Sequence, residues 1–181
     1  MTGLDHHIRH WVITHRAGWL TPLFEAATWV GTWGLAWLVL GLALALWRSR
    51  WSVLLGAALA VAFAEIATAV LKVLIDRPRP HSGLADPPAV VRVPHTSSFP
   101  SGHSTTAFAG ATVLALAWPR AAAPLYLLAA AVAYSRMYLG VHYPADAVAG
   151  ALLGLALGAL AWVAARRLAP VLARRARRAS P

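Results

Sequence analysis

Long apolar runs, separated by short polar or charged stretches, form the main pattern of this sequence. Five runs stand out, and each is about as long as the hydrocarbon core of a bilayer requires, roughly 20 residues. The pattern predicts an all-α, polytopic membrane bundle of about five transmembrane helices, folded as a single domain over residues 1–181. The five runs cover residues 23–47, 52–75, 101–118, 121–139 and 144–165.

The segment before the first run, residues 4–20, has a different pattern. Leu4, Ile8, Trp11 and Val12 are spaced as on one face of a helix, which predicts an amphipathic helix lying at the membrane surface. The same segment carries four histidines. They could bind a metal, but a solvated or headgroup-facing side of the helix is the simpler interpretation.

Composition and charge support a membrane protein. The chain is 59% hydrophobic and 12% charged, whereas soluble domains carry about 25% charged residues. The net charge of +10 does not indicate nucleic-acid binding, because many arginines lie at the ends of apolar runs, as the positive-inside rule describes. There are no cysteines, so disulfides and thiolate chemistry are excluded. The same rule assigns to the cytoplasm Arg48, Arg50, Arg120 and the basic tail 166–181.

Polar residues interrupt the apolar pattern at three places. The second run ends in KVLIDRPRP, the third begins with PSGHS, and the fourth and fifth meet in SRMYLGVHYPAD. In the five-helix arrangement all three places lie at the membrane face opposite the basic tail, so they can share one pocket. The pocket is therefore expected on the extracytoplasmic side.

The charges at these three places indicate an anionic ligand. Lys72 is the only lysine in the chain, and an ionisable group this deep in a predicted span is a functional candidate. Arg77, Arg79 and Arg136 add positive charge at a face where the positive-inside rule would disfavour it. Because guanidinium groups match phosphate oxygens in two-pronged geometry, the cluster favours a phosphate.

The PSGHS segment adds backbone donors to this pocket. A helix that begins near Ser101 has unpaired N–H groups and a partial positive charge in its first turn, and Gly102 lets a ligand approach the backbone. Ser101 can cap the helix or donate its hydroxyl to the ligand, and a plain capped helix start is the structural alternative. Capping does not require a histidine in the first turn of the helix, so His103 favours a catalytic site over a plain helix cap.

His142 and Asp146 are candidates for a nucleophile and its orienting group. They are four residues apart, and Pro144 between them suits the first position of the fifth helix. A carboxylate there can hold one imidazole nitrogen, which leaves the other free to attack an electrophile. An Asp that merely caps the helix is the alternative. With only six Asp and Glu residues there is no obvious metal site, so Lys, Arg and backbone N–H groups would stabilise the charge.

These residues together resemble the three motifs of the type 2 phosphatidic acid phosphatase (PAP2) superfamily, whose fold is shared with vanadium haloperoxidases. Many membrane members have six spans and about five are predicted here, and the helix at 4–20 would then stand in for the sixth. The matching residues are Lys72, six further residues and Arg79-Pro80; Pro100-Ser101-Gly102-His103; and Ser135-Arg136, five residues, His142, three residues and Asp146.

The resemblance implies a role for each motif residue. His142 would form a phosphohistidine intermediate while Asp146 holds its ring. His103 would protonate the leaving group and later activate water. No metal and no other cofactor is implied. Phosphate binding would fall to Lys72, Arg79, Ser101, Gly102 and Arg136.

The implied function is a membrane lipid phosphatase that hydrolyses a lipid phosphate or diphosphate at the outer face of the cytoplasmic membrane. Its partners would be the bilayer and its lipid substrate. Undecaprenyl diphosphate is the first substrate expected, with phosphatidic acid and phosphatidylglycerol phosphate as alternatives. A vanadate-dependent peroxidase would use the same pocket. A lipid or anion transporter is the rival of another class, and it predicts charges spread through the membrane depth.

Two further features are expected to be structural. Glu65 lies seven residues before Lys72, near the same helical face, and is expected to pair with it or with another buried cation; contact with the substrate is the alternative. Gly150, Gly154 and Gly158 form a small-residue stripe, which is expected to let two helices of this chain pack closely, with dimerisation as the alternative.

Overall fold

Helices make up most of the chain that the structure describes. The structure is a computed structural model that describes residues 3–31, 34–80 and 87–179, and all side chains in them except those at 30 and 173–179. No strand occurs within these ranges, so the all-α prediction is confirmed. The helices are α1 (Gly3–Thr14), α2 (Thr21–Gly31), α3 (Leu35–Arg48), α4 (Trp51–Ile75), α5 (Gly102–Ala117), α6 (Ala122–Tyr138) and α7 (Pro144–Ala179).

Helix α5 is the centre of the bundle, and α4, α6 and α7 pack around it. Eleven of its 16 residues are buried, and most of these are small or carry a hydroxyl. The hydroxyls of Thr105 and Thr112 donate to the backbone oxygens of Ser101 (3.0 Å) and Phe108 (2.7 Å), one turn back. Because protein surrounds it, this helix does not need the apolar surface of a lipid-facing span.

The helices differ in whether they could cross a membrane alone. By length and composition two of them qualify, α4 and the part of α7 from Pro144 to Leu172. Helices α5 and α6 have 16 and 17 residues, which corresponds to about 24–26 Å of helix. The helix lengths therefore support a membrane protein without establishing the predicted number of five spans.

The first predicted span, 23–47, is wrong as a single helix. Helix α2 ends at Gly31 and α3 begins at Leu35, with Gly34 between them in the left-handed region at φ 68°. A Cβ atom at Gly34 would lie 2.6 Å from a methyl carbon of Val61 and 2.9 Å from one of Thr106. The break therefore depends on glycine both for its backbone angle and for close packing against α4 and α5.

The last helix continues beyond the predicted end at residue 165. Helix α7 extends to Ala179 and contains Pro170. The segment after 165 is rich in Ala, Leu and Arg, all of which favour helix, so the basic tail is helical through residue 179. Its predicted contact with the cytoplasmic membrane surface stays a prediction.

The glycine stripe brings α7 against α5, as predicted. A Cβ atom at Gly150 would lie 2.6 Å from the Ser101 carbonyl oxygen, and one at Gly154 would overlap the Thr105 carbonyl oxygen. The backbones of the two helices therefore approach more closely than any other side chain would allow. This contact is confirmed within the chain, and it connects the start of α5 to the start of α7.

Helix α1 covers the end of the bundle where α6 ends and α7 begins. It is shorter than predicted, because it ends at Thr14 and a short 3₁₀ turn, Gly18–Leu20, follows. Three of the four residues of the predicted apolar face, Leu4, Ile8 and Trp11, are exposed. The fourth, Val12, is buried against Tyr138 and Leu139, on the inner face with Asp5 and Arg9. The outward apolar stripe agrees with a helix that lies on lipid, and that location stays a prediction.

Candidate active site

One cavity of about 510 Å³ lies between the start of α5, the end of α6, helix α4 and the loop before α5. The three polar segments of the sequence therefore meet at one end of the bundle, as predicted. Six of the eight candidate residues line this cavity: Lys72, Arg79, Gly102, His103, Arg136 and His142. Ser101 and Asp146 do not line it: Ser101 directly precedes the lining residue Gly102, and Asp146 contacts the lining residue His142.

His142 lies in the turn between α6 and α7, and only 2% of it is exposed. Its Nε2 is 3.1 Å from Arg79 Nη1, and its Nδ1 is 3.4 Å from Asp146 Oδ2. A proton on Nδ1 gives both contacts the correct polarity, because Nδ1 then donates to the carboxylate and Nε2 accepts from the guanidinium. Burial lowers the pKa of His142 to about 4, so the imidazole is neutral at pH 7.

Asp146 is fully buried in the first turn of α7. Its Oδ2 accepts a hydrogen bond from the Tyr143 backbone N–H (2.9 Å), and its Oδ1 accepts one from Arg77 Nη1 (2.5 Å). Its backbone oxygen accepts from the Ser101 N–H at 3.0 Å. The carboxylate is therefore held on two sides while it faces the His142 ring, and its own helix is joined to the start of α5.

Arg79 is buried, and it ties the loop before α5 to the nucleophile candidate. Its Nε donates to the Thr96 carbonyl oxygen (2.7 Å), and its Nη1 donates to the Val141 carbonyl oxygen (2.9 Å) as well as facing His142. Its Nη2 donates to the Thr96 hydroxyl (3.1 Å). These contacts hold the guanidinium plane rigidly at the cavity wall, where it can present N–H groups to an anion.

The opposite wall is formed by α4, α5 and α6. Arg136 Nη1 donates to the Thr28 hydroxyl at 3.1 Å. Its buried Nε has no hydrogen-bond partner among the described residues. Lys72 is half-buried and contributes a second cation. An anion in the cavity would therefore meet cations from both walls, and it would give a buried donor a partner.

The start of α5 is a capped helix terminus. Ser101 is fully buried, and its Oγ accepts from the Ser104 backbone N–H (3.4 Å) and from the Ser104 hydroxyl (3.0 Å). The hydroxyl thus acts in capping, which is one of the two uses predicted for it. A Cβ atom at Gly102 would have only Thr68 Oγ1 nearby, at 3.8 Å. The glycine therefore leaves open space beside the first N–H groups of the helix.

Three placements differ from the sequence-based expectation. Arg77 does not line the cavity; it lies behind Asp146, because two carboxylates bind it there. Glu65 forms no ion pair within the described ranges, and instead its Oε1 accepts from the Thr106 hydroxyl at 3.1 Å. A direct ion pair of Glu65 with Lys72 or another cation is therefore not formed among the described residues. Glu65 does line the cavity beside Lys72, so the alternative expectation, contact with the substrate, stays a prediction. Asp5 was not expected near the site at all, and it is the second carboxylate that holds Arg77.

The chemistry of this site follows from its contents. A neutral imidazole, oriented by a carboxylate, faces a cationic cavity that also holds a second histidine. Such an arrangement can bind a tetrahedral oxyanion and attack its central atom. The described residues contain no group of three or more His, Asp or Glu side chains that could hold a metal ion.

Comparison with known proteins agrees with this site. Residues 52–169 match the PAP2 superfamily. The decaprenylphosphoryl-5-phosphoribose phosphatase of Mycobacterium tuberculosis is 41% identical over 133 residues, which are 71% of this chain and 68% of that protein. The crystal structure of Aquifex aeolicus LpxE has a TM-score of 0.76 at 28% identity and covers 88% of this chain and 95% of that one.

A second solved structure is the transmembrane PAP2-type phosphatidylglycerolphosphate phosphatase from Bacillus subtilis, with a TM-score of 0.72 at 28% identity over 87% of this chain and 82% of that one. The family match covers 118 residues (52–169 inclusive) of 181, and it includes every motif residue from Lys72 to Asp146. Motifs, fold and relatives agree, and this chain belongs to the PAP2 superfamily as a phosphatase of that type.

Proposed function

We propose that this chain is a single-domain membrane phosphatase that hydrolyses lipid phosphates through a phosphohistidine on His142. The observation that supports the proposal most strongly is that the two ring nitrogens of His142 have different surroundings. Its Nδ1 faces the Asp146 carboxylate, and its Nε2 faces a cavity lined by cations. This is the geometry that a neutral imidazole needs in order to attack phosphorus.

The first step transfers the phosphoryl group to the enzyme. The Nε2 lone pair of His142 forms a bond to phosphorus, and the bond between phosphorus and the lipid oxygen breaks. Arg79 Nη1, which contacts Nε2 in the free enzyme, moves its N–H to a phosphoryl oxygen. His103 gives a proton to the departing oxygen, so it must hold that proton before this step. The negative charge of the substrate phosphate in the same cavity would favour the protonated form.

The second step returns the enzyme to its starting state. His103, now neutral, takes a proton from a water molecule, whose oxygen attacks phosphorus as the P–N bond breaks. Inorganic phosphate leaves, and the electron pair of the broken bond returns to Nε2 of His142. Asp146 holds the ring in one orientation through both steps, because the Nδ1–H bond to its carboxylate persists.

Lys72, Arg79, Arg136 and the first N–H groups of α5 would stabilise the phosphoryl charge in both steps. Preorganised donors that stabilise developing charge usually make the largest single contribution to lowering the activation barrier of an enzyme reaction. The proposed chemistry therefore proceeds without a metal ion. Ser101 contributes indirectly, since its capping bonds hold the first turn of α5 in place at the cavity.

The proposed substrate is a polyprenyl phosphate or diphosphate. The relative from M. tuberculosis, by its name, acts on a decaprenylphosphoryl lipid. A second cavity of about 770 Å³ shares Glu65, Thr68 and Lys72 with the first and reaches Ala69 and Val73 on α4. Val73 is 81% exposed on an apolar flank of α4. A lipid tail could lie along that flank while its phosphate enters the cationic cavity.

Phosphate release by the purified protein in detergent and EDTA tests this proposal. The substrates are decaprenylphosphoryl-5-phosphoribose, undecaprenyl diphosphate, phosphatidic acid and phosphatidylglycerol phosphate. We expect release from a polyprenyl substrate, at a kcat/KM at least about tenfold above the glycerolipids, which corresponds to about 1.4 kcal/mol. Vanadate should inhibit it. Preference for a glycerolipid would overturn the substrate class, and a strict Mg²⁺ requirement would overturn the metal-free mechanism.

The proposal also places the site on the extracytoplasmic side of a five-span protein. Since the chain has no cysteine, single cysteines report sidedness directly. Val90 lies in the exposed loop near the site, and Arg120 is exposed at the other end of the bundle. Ser82 would be another reporter in the same loop, but it lies outside the described residues. In intact cells, a membrane-impermeant maleimide should label Val90→Cys and should not label Arg120→Cys. The reverse result would invert the topology.

A further inference from the structure

Asp5 is a buried carboxylate that the proposed mechanism does not use. It lies on α1, and 7% of the residue is exposed. Its Oδ2 accepts a hydrogen bond from Arg77 Nη2 at 2.7 Å, and its Oδ1 accepts one from the Ala145 backbone N–H at 3.0 Å. Both oxygens are therefore engaged by groups beside the start of α7, although Asp5 is 72 and 140 residues away from them in the sequence.

Arg77 links Asp5 to the carboxylate that orients the nucleophile. Its Nη1 donates to Asp146 at 2.5 Å, and its guanidinium lies over the Tyr143 ring at 4.4 Å from the centroid. Burial alone would lower the pKa of Arg77, but the hydrogen bond to Asp5 and the charge of Asp146 raise it above its ordinary value. Arg77 is thus a permanent cation that two carboxylates share.

The net charge of Asp5, Arg77 and Asp146 matters because His142 becomes positive during the reaction. A phosphoryl group on Nε2 and a proton on Nδ1 leave the imidazole ring with a positive charge. Asp146 and Arg77 together have a net charge of zero, whereas Asp5, Arg77 and Asp146 together have a net charge of minus one. None of Asp5, Arg77 or Asp146 lines the cavity of about 510 Å³, so a phosphate in that cavity would not be in contact with them; Asp146 is the member of the three that contacts His142.

We propose that Asp5 is a positioning residue for the nucleophile. By sharing Arg77 with Asp146, and by accepting from Ala145 in the first turn of α7, it keeps a negative, rigid cluster behind His142. This inference rests on the proposed function. It assigns to the N-terminal helix a part in the active site besides any contact with lipid.

The effect of Asp5 should appear in one step of the reaction. Asp5→Asn keeps the size of the side chain and an oxygen acceptor for Ala145, and it removes the negative charge. We expect formation of the phosphoenzyme to slow by about 10- to 100-fold, the scale known for groups that orient metal-binding histidines from behind. The dissociation constant of the substrate should stay unchanged, because Asp5 does not line the cavity. Hydrolysis of the phosphoenzyme should not slow, because a less stabilised positive ring leaves more readily.

A merely structural role for Asp5, fastening α1 to the bundle, predicts a different result. The segment after α1 has other anchors, since Arg16 Nε donates to the Tyr138 carbonyl oxygen (2.6 Å) and the Tyr138 hydroxyl donates to the Ala17 carbonyl oxygen (2.7 Å). Asp5→Asn combined with Arg77→Gln restores the net charge of minus one. If charge is what matters, this double variant forms the phosphoenzyme faster than Asp5→Asn alone. If fastening is what matters, it is no faster.

The experiment is a rapid alkaline quench with a radiolabelled substrate, run on the full chain in detergent. The wild type is compared with Asp5→Asn, Asp5→Glu, the double variant and Glu25→Gln, which removes an exposed carboxylate of α2. We expect Glu25→Gln to form the phosphoenzyme at the wild-type rate and Asp5→Glu at a rate between those of the wild type and Asp5→Asn. The double variant should form it faster than Asp5→Asn. Wild-type formation rates in Asp5→Asn, or a double variant no faster than it, would overturn the inference.

Vanadate binding by calorimetry separates this inference from the proposed function. Vanadate bonded to Nε2 would place the same positive charge on the His142 ring, so Asp5→Asn should weaken its binding by about tenfold or more. A wild type that releases no phosphate from any lipid would refute the proposed function, and vanadate binding would still decide the role of Asp5. Equal vanadate affinity in wild type and Asp5→Asn would refute the role of Asp5 alone.

Discussion

Replacing His142 with alanine is expected to lower phosphate release by about 10⁴-fold or more, which is the scale of loss when a covalent nucleophile is removed. The reason is geometric. His142 is the imidazole that has one nitrogen on a buried carboxylate and the other at the cationic cavity. The measurement is kcat on the preferred lipid substrate in detergent.

A matched control separates lost chemistry from lost folding. His7 is an exposed histidine of α1 whose Nδ1 contacts the Gly3 carbonyl oxygen at 3.0 Å, and it does not line the cavity, so His7→Ala should keep the wild-type rate. His142→Gln retains an amide that can accept from Arg79, so it should stay folded and inactive. Substantial turnover by a folded His142→Gln protein would show that another group carries the phosphoryl transfer.

Replacing Arg79 with alanine is expected to lower kcat/KM by about 10²- to 10³-fold, the usual cost of removing one preorganised donor to a developing charge. It should also destabilise the fold by about 1–3 kcal/mol, because the Thr96 and Val141 carbonyl oxygens lose charged donors. Arg79→Lys should recover little of the activity, since an ammonium cannot reproduce the planar set of N–H groups. The measurements are kcat/KM and Tm in the same detergent.

Arg120→Ala is the control for Arg79, since this arginine is exposed at the other end of the bundle. Its activity and Tm should match those of the wild type. If Arg79→Ala lowered Tm but left kcat/KM within a few-fold of the wild type, Arg79 would be a structural residue of the loop. That result would remove it from the phosphate-binding set.

The sequence predicted which segments come together better than it predicted the helices around them. Lys72 and Arg79 follow a long apolar run, and His142 and Asp146 stand on either side of a proline that begins a helix. Local signals of this kind place residues at helix ends, and helix ends at the same end of a bundle can share a cavity, as these do. One sequence was enough for this prediction, because it does not depend on which helix packs on which.

The parts that the sequence did not predict depend on contacts between distant segments. The break between α2 and α3 requires Gly34 because Val61 and Thr106 approach it, and neither is visible from the apolar pattern of 23–47. Glu65 accepts from Thr106, on a neighbouring helix 41 residues away, instead of from a cation. Such pairings are set by packing, which the pattern of a single segment does not contain.

In the N-terminal helix, too, the pattern of a single segment did not predict a contact with a distant segment, that of Asp5. Asp5 is one of the polar positions of an amphipathic segment, and a solvated position is the usual interpretation of such a carboxylate. The structure buries it against Arg77 and Ala145. The signal that could have found it is the scarcity of acidic residues, since the chain has six Asp and Glu residues against 16 Lys and Arg residues. A buried arginine near a site needs a carboxylate partner, and in this chain few carboxylates are available.

The central claim is that His142 carries the phosphoryl group. The most direct measurement is to mix the purified protein with a radiolabelled lipid phosphate in EDTA, quench in alkali, where phosphohistidine is stable, and locate the modified residue by mass spectrometry. We expect a phosphoryl group on the peptide that contains His142, and no label in His142→Gln. Label on another residue, or turnover with no phosphoenzyme at any time point, would contradict it.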